Sequence, residues 1–291
     1  MVRVSHYITA PGRKYGAKPF LKWAGGKRQL IAKIQEFIPA SFNTYFEPFV
    51  GGGAVLFDLQ PTQVVINDRN AELINCYRVI KDSVEALITQ LELHKAQNTK
   101  DYYYQIRQLD RQSSFSLEHD NIARAARIIY LNKTCYNGLF RVNSRGQFNV
   151  PFGKYAAPAI VEPEVLRAVS AYLNQNQVTI VNTDFADALA QARSGDFVYF
   201  DPPYDPVSDT ASFTKYGASG FGREEQTRLR EVFGQLDRCG CKLLLSNAQT
   251  EFIQELYQGF SCAVVSATRS INSNTKKRGR INEVLISNFE I

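Results

Sequence analysis

The stretch YFEPFVGGGAVLFDLQPTQVVINDRN (45–70) decides the fold. A short apolar run reaches Glu47, three glycines follow at 51–53, an apolar helix start succeeds them, and VVIND (64–68) closes a second β-branched run on Asp68. Strand, glycine turn, helix, strand is the opening of a parallel α/β unit. Runs of the same kind recur as VTIVNTDF (178–185), DFVYFDPPY (196–204), KLLLSN (242–247) and NEVLISNF (282–289), and each contains or ends on Asn or Asp. Such runs suit buried strands whose carboxyl ends carry polar groups. Between them EEQTRLREVFGQLDRCG (224–240) places Leu229, Val232, Phe233 and Leu236 on one helical face and stops at Gly240. The pattern predicts an open, mostly parallel α/β sheet with ligands gathered at its carboxyl edge.

Residues 71–160 break that rhythm. They read as helix at 71–96, 101–112 and 121–133, followed by YNGLFRVNSRGQFNVPFGKY (136–155), whose Asn, Gly and Arg content excludes a core element. This segment is expected to be an insert with an exposed, loop-rich end.

Composition narrows the class. The chain has 291 residues, 44% of them hydrophobic, which is enough for a core and excludes wholesale disorder. No apolar window is long enough to cross a bilayer, and the first residues lack the apolar stretch of a signal peptide. Five cysteines without a completing His or Cys pair predict reduced structural thiols and no metal; Cys239 and Cys241 stand alone. The net charge of +6 is unevenly spread. Residues 1–35, 121–161 and 269–282 contain no acid and hold 19 of the 34 basic residues, leaving an acidic body. Basic islands of this kind predict a polyanionic partner.

Three segments carry chemistry. FLKWAGGKRQL (20–30) is not a triphosphate loop, because Leu21 and Arg28 stand where Gly and Ser or Thr are needed. Its Trp23 is the only tryptophan, and a lone tryptophan is most often a core anchor. The glycine turn lacks a third spaced Gly at Leu56, so a pyrophosphate is not its natural guest. Glu47 before the glycines favours an ammonium group or hydroxyls, and a strand-end acid such as Asp68 commonly accepts from ribose hydroxyls; together they point to an adenosine-bearing cofactor. Finally, Asp201-Pro202-Pro203-Tyr204 offers a carboxylate, carbonyl acceptors and an aromatic face on a stiff turn. That inventory suits a planar ring with an exocyclic amine.

Taken in order, KWAGGK (22–27), EPFVGGG (47–53), Asp68, YNGLFRVN (136–143), GQFNVPFGKY (146–155) and DPPY (201–204) resemble the Dam-type DNA adenine-N6 methyltransferases. The resemblance runs from Phe20 to about Phe289 and takes in SNAQTEFIQELY (246–257) and TRSINSN (268–274). It implies a Rossmann-like S-adenosylmethionine-dependent sheet (20–70 and 161–291), an inserted mainly helical recognition domain (71–160) and an N-terminal extension (1–19). Trp23 and Lys27 would close over S-adenosyl-L-methionine, with Glu47, Gly51 and Gly53 at its methionine end, Asp68 on the ribose and Asp184-Phe185 on its adenine. Asp201, Pro202, Pro203 and Tyr204 would hold the target base. Double-stranded DNA would meet Tyr136, Asn137, Leu139, Arg141 and Lys154, with GATC as the expected site. Lys154 departs from the Arg of enterobacterial GATC readers, so the guanine contact there loses its planar fork. The resemblance implies a monomeric cytoplasmic enzyme without a metal. RNA adenine or protein amide methylation, or a silent DNA-binding homologue, are the readings it must beat.

Overall fold

The computed structural model describes residues 15–112, 114–206, 221–268 and 280–290. The N-terminal 1–14, most of TRSINSN and the basic run TKKRGR up to Arg280 lie outside the described residues.

Seven strands form one sheet: β1 (Tyr45–Glu47), β2 (Gln63–Asn67), β3 (Gln177–Val181), β4 (Phe197–Phe200), β5 (Lys242–Ala248), β6 (Ser261–Thr268) and β7 (Arg280–Ser287). Their order is β3-β2-β1-β4-β5-β7-β6. The first five are parallel, while β7 runs antiparallel to both β5 and β6. The chain builds outward from β1 to β3 and then returns to the other side of β1 as β4. This places the switch point between β1 and β4, where a doubly wound sheet opens a crevice beyond its carboxyl ends. Glu47 ends β1 and Asp201 follows β4, so the two stand on neighbouring strands at that crevice.

The helices are α1 (Ile31–Gln35), α2 (Ala54–Leu59), α3 (Ala71–Asp82), α4 (Val84–Ala96), α5 (Lys100–Gln108), α6 (Phe115–Glu118), α7 (Asn121–Thr134), α8 (Pro163–Gln175), α9 (Phe185–Ala188), α10 (Arg223–Arg238) and α11 (Glu251–Leu256). Both sheet faces are covered, which is why the strands read as unbroken apolar runs. Tyr45, Phe197 and Tyr199 point into one core shared with α3, α7 and α8. Phe46, Val198 and Phe200 point into the other, against Leu229, Phe233 and Leu236 of α10. The helix expected at 224–240 thus forms and buries the face that its spacing marked.

Three expectations need correction. The helix expected at 71–96 is two, because Ser83 leaves helical geometry (φ −147°, ψ 40°). The run 178–185 is strand only to Val181; Asp184 lies beyond it and caps α9 by accepting from the Ala186 N–H at 3.0 Å. Residues 136–155, expected to stay out of the core, place Phe148 and Val150 within it. An irregular backbone can still bury alternate side chains when its own polar groups find partners.

Candidate active site

The glycine turn after β1 is held at both ends. Asp68 accepts from the Gly51 N–H at 3.1 Å and from the Asn70 N–H at 2.8 Å, and the Tyr77 hydroxyl donates to the Gly51 carbonyl at 3.0 Å. Gly51 (φ +49°) and Gly53 (φ +69°) are both left-handed. A Cβ on Gly51 would stand 2.9 Å from the Trp23 ring, and one on Gly53 would stand 2.7 Å from the Tyr77 hydroxyl. Both positions therefore need glycine for space as well as for backbone angle. Trp23 also stacks on Phe140, ring centroids 4.7 Å apart at 26°. It is half-buried and joins the turn to the 136–155 loop.

At the mouth of β4 the central feature is an ion pair. Lys27, 4% exposed, places Nζ 2.7 Å from Asp201 Oδ1, donates to the Gly25 carbonyl at 2.6 Å and lies 4.6 Å from the Tyr204 ring centre. Lys27, expected in the segment that closes over the cofactor, thus places its ammonium on the DPPY turn. Tyr204 donates its hydroxyl to Glu283 of β7 at 2.6 Å. Glu47 is buried and accepts from the Tyr45 hydroxyl at 2.8 Å. Burial pushes the Asp201 carboxyl up to about 6 against the opposing pull of Lys27. Burial likewise raises Glu47 well above the carboxylate range, with the nearby Asp201 charge adding to it. Glu47 and Glu283 both interact with the Asp201 carboxyl, so three acids gather near the sheet edge with Lys27 paired to one of them, and the site favours a cationic guest.

The DPPY turn is fastened from behind. Gln226 donates to the Pro203 carbonyl at 2.8 Å, and Asn247 in turn donates to Gln226 at 3.1 Å. Sequence reasoning missed Gln226, Glu283 and Tyr77, which lie far along the chain and in no motif. Asn247 carried a signal, since it sits near the end of an apolar strand run.

Asp184 and Phe185 stand apart from this group. Arg228 of α10 grips Asp184 through both nitrogens, at 2.9 Å and 2.5 Å, and lies 4.2 Å from the Phe185 ring centre. Phe185 packs with Phe49 and Phe221, centroids 5.4 Å and 6.0 Å away. The loops bearing Asp68 and Asp184 are nevertheless linked. Asn67 donates to the Thr183 carbonyl and accepts from its N–H, and Asn182 donates to the Asp68 carbonyl at 2.7 Å.

The loop from 136 to 155 is mounted through its backbone. Tyr103 and Arg107 donate to the Val150 carbonyl at 2.8 Å and 3.1 Å; Arg111 donates to the Phe148 carbonyl at 3.0 Å, and Asp110 accepts from the Phe148 N–H at 2.8 Å. Asn132, fully buried, accepts from the Lys22 N–H and donates to the carbonyls of Lys22 and Gly138. It thereby ties this loop to the segment leading into Trp23. Tyr136, Asn137, Arg141 and Lys154 are exposed and Leu139 is half-buried. Arg141 is steadied by Asn149, with Nε donating to Oδ1 at 2.7 Å and Nη2 to the carbonyl at 3.3 Å.

The basic island at 121–161 is smaller in space than in sequence. Arg124 pairs with Glu72, Arg127 with Asp110 and Lys133 with Glu162, all acids from outside the window. Its exposed charge comes from Arg141, Arg145 and Lys154. Among the described residues no group of His, Cys, Asp and Glu has the arrangement of a metal site, and no helix is long and apolar enough to cross a membrane.

The chain as a whole is similar to known proteins. The family described as D12 class N6 adenine-specific DNA methyltransferase matches residues 23–271. A type II methyltransferase of Lactococcus lactis subsp. cremoris is 47% identical over 95% of this chain and 97% of its own length. A type II methyltransferase of Methanocaldococcus jannaschii is 41% identical over 94% of this chain and 99% of its own. The DNA adenine methylase of Escherichia coli K12 is 36% identical over 92% and 94% respectively.

Proposed function

The chain belongs to the D12 class of N6 adenine-specific DNA methyltransferases, and from that premise we propose that it moves a methyl group from S-adenosyl-L-methionine to N6 of an adenine flipped out of duplex DNA, at GATC. The observation that carries the reading is the pair of loops at the switch point. A glycine turn backed by Glu47 and Asp68 stands beside an Asp-Pro-Pro-Tyr turn whose carboxylate is pinned by Lys27.

The residues present fit the cofactor. Gly51 and Gly53 let the turn pack directly against Trp23 and Tyr77, buried Glu47 suits an amino-acid ammonium, and Asp68 suits ribose hydroxyls. Trp23 covers the turn, and the acidic surroundings favour a positive sulfonium. When bound, that sulfonium supplies the methyl group and leaves as a neutral thioether. Asp184 and Phe185 would meet its adenine with Arg228 fixing the carboxylate from behind.

The N6 lone pair of adenine is delocalised into the ring, so the amine is a weak nucleophile. Hydrogen bonds from N6–H to the Asp201 carboxylate and the Pro202 carbonyl hold the nitrogen nearer tetrahedral and aim its lone pair, while Tyr204 stacks on the ring. Lys27 keeps the carboxylate in place and its charge available. The Asp201 carboxylate is a base that can take the surplus proton on N6 after transfer.

DNA is read by the loop mounted on the helices of 71–160, with 20–70 and 161–291 as the catalytic part. Asn149 occupies Nε and one hydrogen of Nη2 on Arg141, leaving three of its five N–H donors for a guanine edge. Tyr136 and Leu139 fill the space vacated by the flipped base and Asn137 contacts DNA beside them, while Lys154 donates to guanine or phosphate.

Labelled S-adenosylmethionine with duplexes that contain or lack GATC tests this reading. Label on N6-methyladenine only in the GATC duplex, and a loss of about 100-fold or more in Asp201→Ala, is the expected result. Transfer spread over GATC-free DNA would refute the site and keep the chemistry; transfer to RNA or protein alone would refute the substrate.

A further inference from the structure

The Asp201–Tyr204 turn offers more acceptors than one amine can use. Adenine N6 presents two N–H hydrogens, whereas the turn holds a carboxylate and the carbonyls of Pro202 and Pro203. The structure treats the two carbonyls differently. Gln226 donates to that of Pro203 at 2.8 Å, while among the described residues no hydrogen bond reaches that of Pro202.

Gln226 is itself oriented. Asn247 Oδ1 accepts from the backbone N–H groups of Asp205 (3.1 Å) and Ala248 (2.8 Å), which turns its Nδ2 toward Gln226 Oε1 at 3.1 Å. The amide nitrogen of Gln226 then has one place to go, the Pro203 carbonyl. Flipping either amide would set acceptor against acceptor. Gln226 is 1% exposed and Asn247 0%, so no water substitutes for a lost bond. In this buried chain each amide oxygen and nitrogen has a partner, and removing one leaves the others costly to bury.

We propose that Gln226, held by Asn247, is a positioning residue that withdraws the Pro203 carbonyl from the target-amine site and leaves the Asp201 carboxylate and the Pro202 carbonyl to face the base. The inference rests on the methyl-transfer reading above. Two acceptors match two N–H hydrogens; a third would let the amine rotate and lose its aim at the methyl donor.

Gln226→Met keeps the length and removes both polar atoms. Single-turnover methylation is expected to fall about 100-fold, as for a displacement of about 1 Å at the reacting centre. Calorimetric affinity for S-adenosylmethionine should stay within about twofold, because no partner is shared with the glycine turn. Fluorescence of 2-aminopurine at the target position should still rise on binding. Gln226→Glu gives a second variant: its protonated form donates to Pro203 and accepts from Asn247, whereas its ionised form opposes the carbonyl. The rate of this variant relative to the native protein should therefore climb as pH falls. A Gln226→Met rate equal to the native one, or a Gln226→Glu ratio flat with pH, would overturn the inference alone. Failure of the native protein to methylate adenine would overturn both it and the reading it rests on.

Discussion

The carboxyl edge of the sheet and the 136–155 loop are both irregular backbone held by buried polar side chains, but they differ in how far the hold extends to the outward-facing side chains. At the sheet edge the functional side chains themselves are gripped: Asp201 by Lys27, Tyr204 by Glu283, Asp184 by Arg228. In the loop most grips fall on main-chain atoms, at Phe148, Val150 and Gly138; Tyr136, Asn137 and Lys154 are exposed, while the Arg141 side chain is steadied by Asn149. Fixed side chains suit a small guest and a reaction that needs alignment. A fixed backbone with outward side chains suits a large partner, which supplies the remaining contacts itself.

The contrast can be broken most severely at the loop's mounting. Asp110→Ala would leave Arg127 buried without its partner and free the Phe148 N–H, a loss of about 3–5 kcal/mol of stability that denaturant unfolding would record. If unfolding were unchanged, the loop would not depend on that anchor. Arg141→Ala should lower discrimination of GATC over sites altered at one base pair by about 1–3 kcal/mol, with the methylation rate at saturating DNA nearly kept. A uniform loss across all sequences would make Arg141 a phosphate contact instead.

The sheet edge should respond to pH where the loop does not. With its carboxyl raised to about 6, Asp201 is ionised above that pH and protonated below it. If the carboxylate accepts N6–H, single-turnover rate should drop about tenfold per unit below that point, while DNA affinity changes little. Lys27→Met removes the charge that holds this carboxyl down, so the acidic limb should move to higher pH; a limb that stays put would assign it to another group. Smallest of all, Lys154→Ala should reduce the slope of log affinity against log salt by about 0.9 if it meets one phosphate, and leave it unchanged if it reads a base.

The amino-acid sequence by itself determined the parallel sheet, the strand-end positions of Glu47, Asp68 and Asp201, and the apolar face of α10. Each depends on period and local turn chemistry, which act over a few residues. It also marked residues 136–155 as loop, but not that Phe148 and Val150 are core, since burial there follows from helices packed around the loop. Only the tertiary structure decided how charge is distributed. Arg124, Arg127 and Lys133 look like part of a basic surface until Glu72, Asp110 and Glu162 arrive from elsewhere in the chain. Likewise Lys27 was placed on Asp201, Arg228 on Asp184 and Gln226 on Pro203 by the docking of segments up to 174 residues apart in number. Such pairs have no local signature, because a charge or an amide finds its partner through the fold and not through the spacing of its neighbours.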